Sequence, residues 1–119
     1  MKLSKLFSKT KKQVSSDEVS INAQLLIRAG YIDKVCAGVY SFLPLGQKVL
    51  SNISQIVREG MDAIGGQEIT MPVLHPKANW EITGRWGTFD VLYKTKGASG
   101  EFALGPTHEE IVVPLVKRF

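Results

Sequence analysis

The sequence predicts a mixed α+β fold, and three observations carry that reading. Val49, Leu50, Ile53, Ile56, Val57, Met61 and Ile64 recur at spacings of three and four, the stripe of a long amphipathic helix. Val91–Lys94 and Glu101–Leu104 flank Gly97-Ala98-Ser99-Gly100, which predicts an antiparallel hairpin around a flexible loop. Gly105-Pro106 then breaks the alternation and starts a helix, with proline near its first position.

From the N-terminus, Ser15 with Glu18 three residues later forms a capping box ahead of Val19, Ile21, Ala23, Leu25, Leu26 and Ala29, with Gly30 as the stop. This predicts a helix of about three to four turns. The branched and aromatic run from Val35 to Leu43, bent at Gly38 and closed by Pro44, predicts one or two short strands. The long helix follows from Leu45 and stops at Gly65-Gly66. Gly60 inside it should cost up to about 1 kcal/mol relative to alanine, which predicts a close packing partner there. Ile69, Met71 and Val73 alternate as a strand that carries Pro72, as an edge strand can. A short helix over Lys77–Ile82, ending at Gly84, and a last helix from Thr107, bent at Pro114, complete the reading.

The chain has 119 residues and 44% hydrophobic content, enough for one modest domain with one core. No apolar run approaches the roughly 20 residues needed to cross a bilayer, and Met1–Lys12 lacks the apolar block of a secretory signal, so a cytoplasmic location is expected. A single cysteine, Cys36, excludes an internal disulfide; set among Val35–Tyr40, it reads as a buried thiol. The formal charge is +4, and Lys2, Lys5, Lys9, Lys11 and Lys12 crowd the first twelve residues. A solvated tail explains them most simply, with contact to a nucleic-acid backbone as the alternative. The segment contains no arginine, which argues against a mitochondrial presequence.

Chemistry concentrates in Leu104-Gly105-Pro106-Thr107-His108-Glu109-Glu110, where a hydroxyl, an imidazole and two carboxylates follow a sharp reversal. Such a corner can hold a small cationic ligand: a carboxylate pairs with an ammonium and the threonine hydroxyl adds a hydrogen bond. A capped helix start whose acidic first turn suits the macrodipole is the structural alternative.

Arg28-Ala29-Gly30, Gly38-Val39-Tyr40, Leu43-Pro44-Leu45-Gly46, Met71-Pro72-Val73-Leu74, Trp80, Gly84-Arg85-Trp86 and the Leu104–Glu110 run occur in the order and spacing that resemble the start of bacterial-type prolyl-tRNA synthetases. The resemblance covers almost the whole chain. It implies that residues 1–119 are the N-terminal part of a class II aminoacyl-tRNA synthetase catalytic domain, an antiparallel sheet flanked by helices. It also implies activation of proline with ATP and magnesium and transfer to tRNA(Pro). By position, Glu109 would take the imino nitrogen of proline and Thr107 would add a hydrogen bond. His108 would be bonded within the structure, Glu110 would be a surface or helix-start charge, and Arg85 and Trp86 would form either the cleft wall or a salt bridge and packed ring.

The long helix with the strand ending at Pro72 corresponds in the resemblance to the first signature motif, which builds a homodimer interface; Ile53, Ile56, Val57 and Pro72 are its candidates here. The same stripe could instead pack on the chain's own sheet. The second and third motifs, with their phosphate-binding arginines, have no counterpart in these residues, and no glycine-rich phosphate loop replaces them, so the chain alone is expected to be inactive. Its apolar-periodic end at Phe119 reads as a truncation. Two other readings stand beside this one: a non-catalytic dimerisation or binding module built on the same half-core, and a sister class II synthetase for threonine, serine or glycine.

Overall fold

A computed structural model describes residues 2–119. The chain is α+β with antiparallel sheets, as predicted, and it divides into two compact units, one through Gln67 and one from Glu68 to Phe119.

In the first unit, helix α1 spans Ile21–Arg28. It begins six residues after Ser15, because Ser20 is its cap, accepting from the Ala23 amide at 3.4 Å. The predicted capping box does not form. Glu18 turns inward instead: its carboxylate accepts from the Tyr40 hydroxyl at 2.6 Å and the Ser20 amide at 3.3 Å, with Lys34 Nζ 3.3 Å away. A buried carboxylate with three such partners has no reason to reach back to a helix end. Gly30, at φ 73°, stops α1, and strands β1 (Ile32–Cys36) and β2 (Val39–Phe42) pair as a hairpin turned at Gly38. Cys36 lies at the exposed end of β1, next to an irregularity in the register, so the thiol is not buried. Ala23, Ile27 and Ile32 are buried apolar residues of this unit. The lysine-rich segment is not wholly a free tail, since the Lys11 amide donates to the Arg28 carbonyl and its ammonium pairs with Asp33 at 2.6 Å.

Helix α2 spans Pro44–Ala63, with proline at its start where a missing amide costs nothing. Gly46 lies against the Tyr31 carbonyl so closely that a Cβ there would collide with it. Gly60, by contrast, has no neighbour within 4 Å of where a Cβ would stand, so close packing does not explain it.

The second unit begins without the predicted strand at Ile69–Val73. Strand β3 is Leu74–Pro76, five residues later, and Pro72 lies outside it. Proline lacks the ladder amide, and the pairing that forms sets Leu74 against Leu104 and His75 against Ala103. Helix α3 occupies Lys77–Ile82 as predicted, Gly84 at φ 70° makes the left-handed turn after it, and a single turn of helix α4 covers Arg85–Thr88. Strands β4 (Tyr93–Gly97) and β5 (Gly100–Leu104) form the hairpin. Their ladder runs out to Gly97 opposite Gly100, so the predicted flexible loop is a two-residue turn, and Val91 and Leu92 precede the strand. The sheet order is β3-β5-β4. Trp80, Leu92 and Ala103 form the core, with Trp86 and Phe89 against it. Helix α5 covers Glu109–Val116.

Candidate functional site

The corner between β5 and α5 is held from beneath by His75. The Gly105 amide donates to the Val73 carbonyl at 2.9 Å, and the His75 ring fills the space that a side chain at position 105 would need. This is a close approach that only glycine permits. His75 is fully buried, stacks on Trp80 with ring centroids 5.9 Å apart, and meets His108 edge-on at 5.0 Å. Its Nε2 lies 3.1 Å from the Pro72 carbonyl. A carbonyl can only accept, so that nitrogen carries the hydrogen and Nδ1 is left buried without a partner. His108, expected to be bonded within the structure, instead meets His75 by ring contact, and Pro72 holds His75 where a strand role had been predicted for it.

Pro106 and Thr107 bend the chain, His108 stands at the cap position without a side-chain capping bond, and α5 begins at Glu109. Thr107 Oγ1 is buried and completes no hydrogen bond of normal geometry within the protein. It lies near enough to Glu109 to matter electrostatically: the Thr107 hydroxyl first, and then the helix-start amide, hold the Glu109 carboxyl below the usual carboxylate range. Glu109 is exposed and stands beside this buried hydroxyl.

Glu110 is a helix-start charge, as one of the two expected roles had it, but not a surface one. Successive helical residues point about 100° apart, so with Glu109 outward Glu110 turns in, and it is 3% exposed rather than a surface charge. Arg85 Nη1 donates to its Oε1 at 2.7 Å. Thr83 Oγ1 lies 3.3 Å from the same oxygen and 3.1 Å from the Trp80 carbonyl, and can donate to one at a time. The Arg85 guanidinium lies over the Trp80 and Phe89 rings at 5.2 and 4.6 Å. Of the two roles open to Arg85, the structure shows the salt bridge. Trp86 is the packed ring, covered by the ammonium groups of Lys94 at 5.1 Å and Lys77 at 5.5 Å.

Sequence reasoning missed Glu110 as a buried anchor, and with it Asn79, whose Nδ2 donates to the Glu110 carbonyl at 2.8 Å. One signal was available for Asn79. Pro114 has no amide, so the carbonyl four residues before it needs another donor.

Ile53, Ile56 and Val57 lie together on α2 and are 54%, 69% and 59% exposed. Among the described residues no group of three or more His, Cys, Asp and Glu could hold a metal ion, and no helix is long and apolar enough to cross a membrane.

No family model matches the chain. Individual proteins do. It is 48% identical over 118 residues to proline–tRNA ligase 1 of Streptomyces avermitilis, 49% identical over 119 residues to the proline–tRNA ligase of Macrococcus caseolyticus, and 44% identical over 119 residues to that of Thermotoga neapolitana. Each match takes in 98% of this chain and 21% of the relative. The chain therefore spans about a fifth of the length of the curated relatives it matches.

Proposed function

By sequence this chain belongs to the proline–tRNA ligase family, and on that premise we propose that it supplies the proline-recognition corner of an enzyme that charges tRNA(Pro). In that reaction the proline carboxylate attacks the α-phosphate of ATP and releases pyrophosphate. A ribose hydroxyl of the tRNA then takes the prolyl group from the adenylate and releases AMP. Both steps require the amino acid to be held in one orientation.

Glu109 pairs with the charged imino nitrogen of proline, and Thr107 completes its unmade hydrogen bond on the substrate. One observation carries this reading: an exposed carboxylate held below the usual carboxylate range stands beside a buried hydroxyl that closes no hydrogen bond of normal geometry with the protein. A capped helix start alone would leave that hydroxyl unexplained, because buried polar groups are ordinarily paired. Among the described residues no group of three or more His, Cys, Asp and Glu stands ready for the magnesium that accompanies ATP. The exposed stripe of Ile53, Ile56 and Val57 supports a homodimer of the whole enzyme, and the chain's part in tRNA charging supports a cytoplasmic location.

The test is proline-dependent ATP–pyrophosphate exchange by a full-length ligase carrying this segment. Glu109→Gln removes the charge but nearly keeps the shape, and a charge-assisted hydrogen bond is typically worth about 1.5–3 kcal/mol, so kcat/KM for proline should fall at least about tenfold. Thr107→Val removes a neutral bond and should cost less. Unchanged proline efficiency in Glu109→Gln would return Glu109 to the role of a helix-start charge. Absence of exchange by the unmutated full-length protein would favour a non-catalytic module.

A further inference from the structure

We propose that the Arg85–Glu110 pair positions the Thr107–Glu109 corner for proline without itself touching the substrate, an inference that rests on the reading of Glu109 given above. The corner has few fastenings of its own. His108 makes no side-chain cap, the Thr107 hydroxyl closes no hydrogen bond of normal geometry, and Pro114 removes an amide from the short helix that follows. What fixes the first turn of α5 comes from the segment between β3 and β4, and it converges on Glu110: Arg85 and Thr83 on the carboxylate, Asn79 on the carbonyl.

The geometry makes this consequential. Glu110 is bonded directly to Glu109 in the chain, and on a helix the two directions are locked about 100° apart. With the side chain of Glu110 fixed inward, Glu109 has one direction left. The anchor is itself held in place, because the Arg85 guanidinium lies over two aromatic rings while its Nη1 donates to one carboxylate oxygen. Loosening this pair would let the first turn rotate, and small displacements of a group that orients a substrate are costly in rate and affinity.

The experiment uses the full-length ligase carrying this segment, with active sites titrated so that unfolded enzyme is not counted. The Michaelis constants for proline and for ATP are measured separately in pyrophosphate exchange for Glu110→Gln, Arg85→Lys and Glu109→Gln. The proposal expects Glu110→Gln and Arg85→Lys each to raise the proline KM about tenfold or more while the ATP KM moves less than about twofold. A pair that merely holds the fold would instead lower the number of active sites and leave the proline KM unchanged, which would overturn the proposal. If Glu110→Gln does not fold, Arg85→Lys decides: it keeps the charge and loses the planar fork, so an unchanged proline KM in it overturns the proposal. Glu109→Gln separates the two levels. A raised proline KM there with none in the pair variants sinks the positioning role alone, and no change in Glu109→Gln sinks both.

Discussion

The side-chain amide of Asn79 donates to the main-chain carbonyl of Glu110 at 2.8 Å, taking the place of the helical amide that Pro114 cannot supply. A proline inside an eight-residue helix would otherwise leave that acceptor without its usual i+4 donor. Here the defect becomes the attachment point of α5 on α3.

Asn79→Ala should therefore destabilise the protein by about 1–3 kcal/mol, the usual cost of leaving a partly buried acceptor unpaired. In a Pro114→Ala background the amide at position 114 can make the helical bond, so the same substitution should cost clearly less. Denaturant melts of the two single variants and the double variant measure the coupling. Simple additivity would show that the two residues are not exchanging one hydrogen bond.

Gly105→Ala should be destabilising by about 1–3 kcal/mol through overpacking, because its Cβ would enter the space of the buried His75 ring. His75→Ala in the same chain should relieve much of the clash while adding its own cavity cost. The readout is thermal melting, with near-ultraviolet circular dichroism reporting the Trp80 environment next to His75. A melting temperature unchanged by Gly105→Ala would mean that the corner moves freely away from the ring.

The cluster of Glu18, Tyr40 and Lys34 sets a pH window. The Tyr40 hydroxyl, foremost, holds the Glu18 carboxyl below the usual range, so its stabilisation is present above the ordinary glutamate pKa and is lost as pH falls through the lower folded value. Tyr40, raised chiefly by Glu18, and Lys34, raised chiefly by Asp17, contribute stability that is complete below their ordinary pKa values and is lost as pH rises through the folded ones. Tyr40→Phe should move the acid unfolding midpoint upward, because Glu18 loses its main partner, and should reduce the alkaline loss. An acid limb in the same place as in the unmutated chain would contradict this assignment.

The 119-residue chain should self-associate at roughly tens of micromolar, since a contiguous apolar stripe of this kind is seldom left open on a monomer. Ile53→Glu with Ile56→Glu should shift it towards monomer while leaving the helical circular dichroism in place, because neither side chain is buried in the fold. Sedimentation velocity decides. A monomeric unmutated chain would remove the support that the exposed stripe gives to an interface.

Wherever a pattern spans many residues and needs no distant partner, the sequence alone was enough. The stripe over α2, the helix at Lys77–Ile82, the reversal at Gly105-Pro106 and the hairpin around residues 97–100 follow from local periodicity and turn chemistry. So does the resemblance of its ordered motifs, which the matched relatives bear out. Wherever a single polar or small residue chose between two partners, tertiary structure decided. Glu18 left the predicted capping box for Tyr40 and Lys34, the strand expected at Ile69–Val73 moved to Leu74–Pro76, and Cys36 came out exposed at a strand end. Glu109 and Glu110 are the sharpest case: two identical neighbours, one exposed and one buried. Local sequence cannot rank them, because what pulls Glu110 inward is Arg85, 25 residues earlier in the chain and brought to 2.7 Å only by folding.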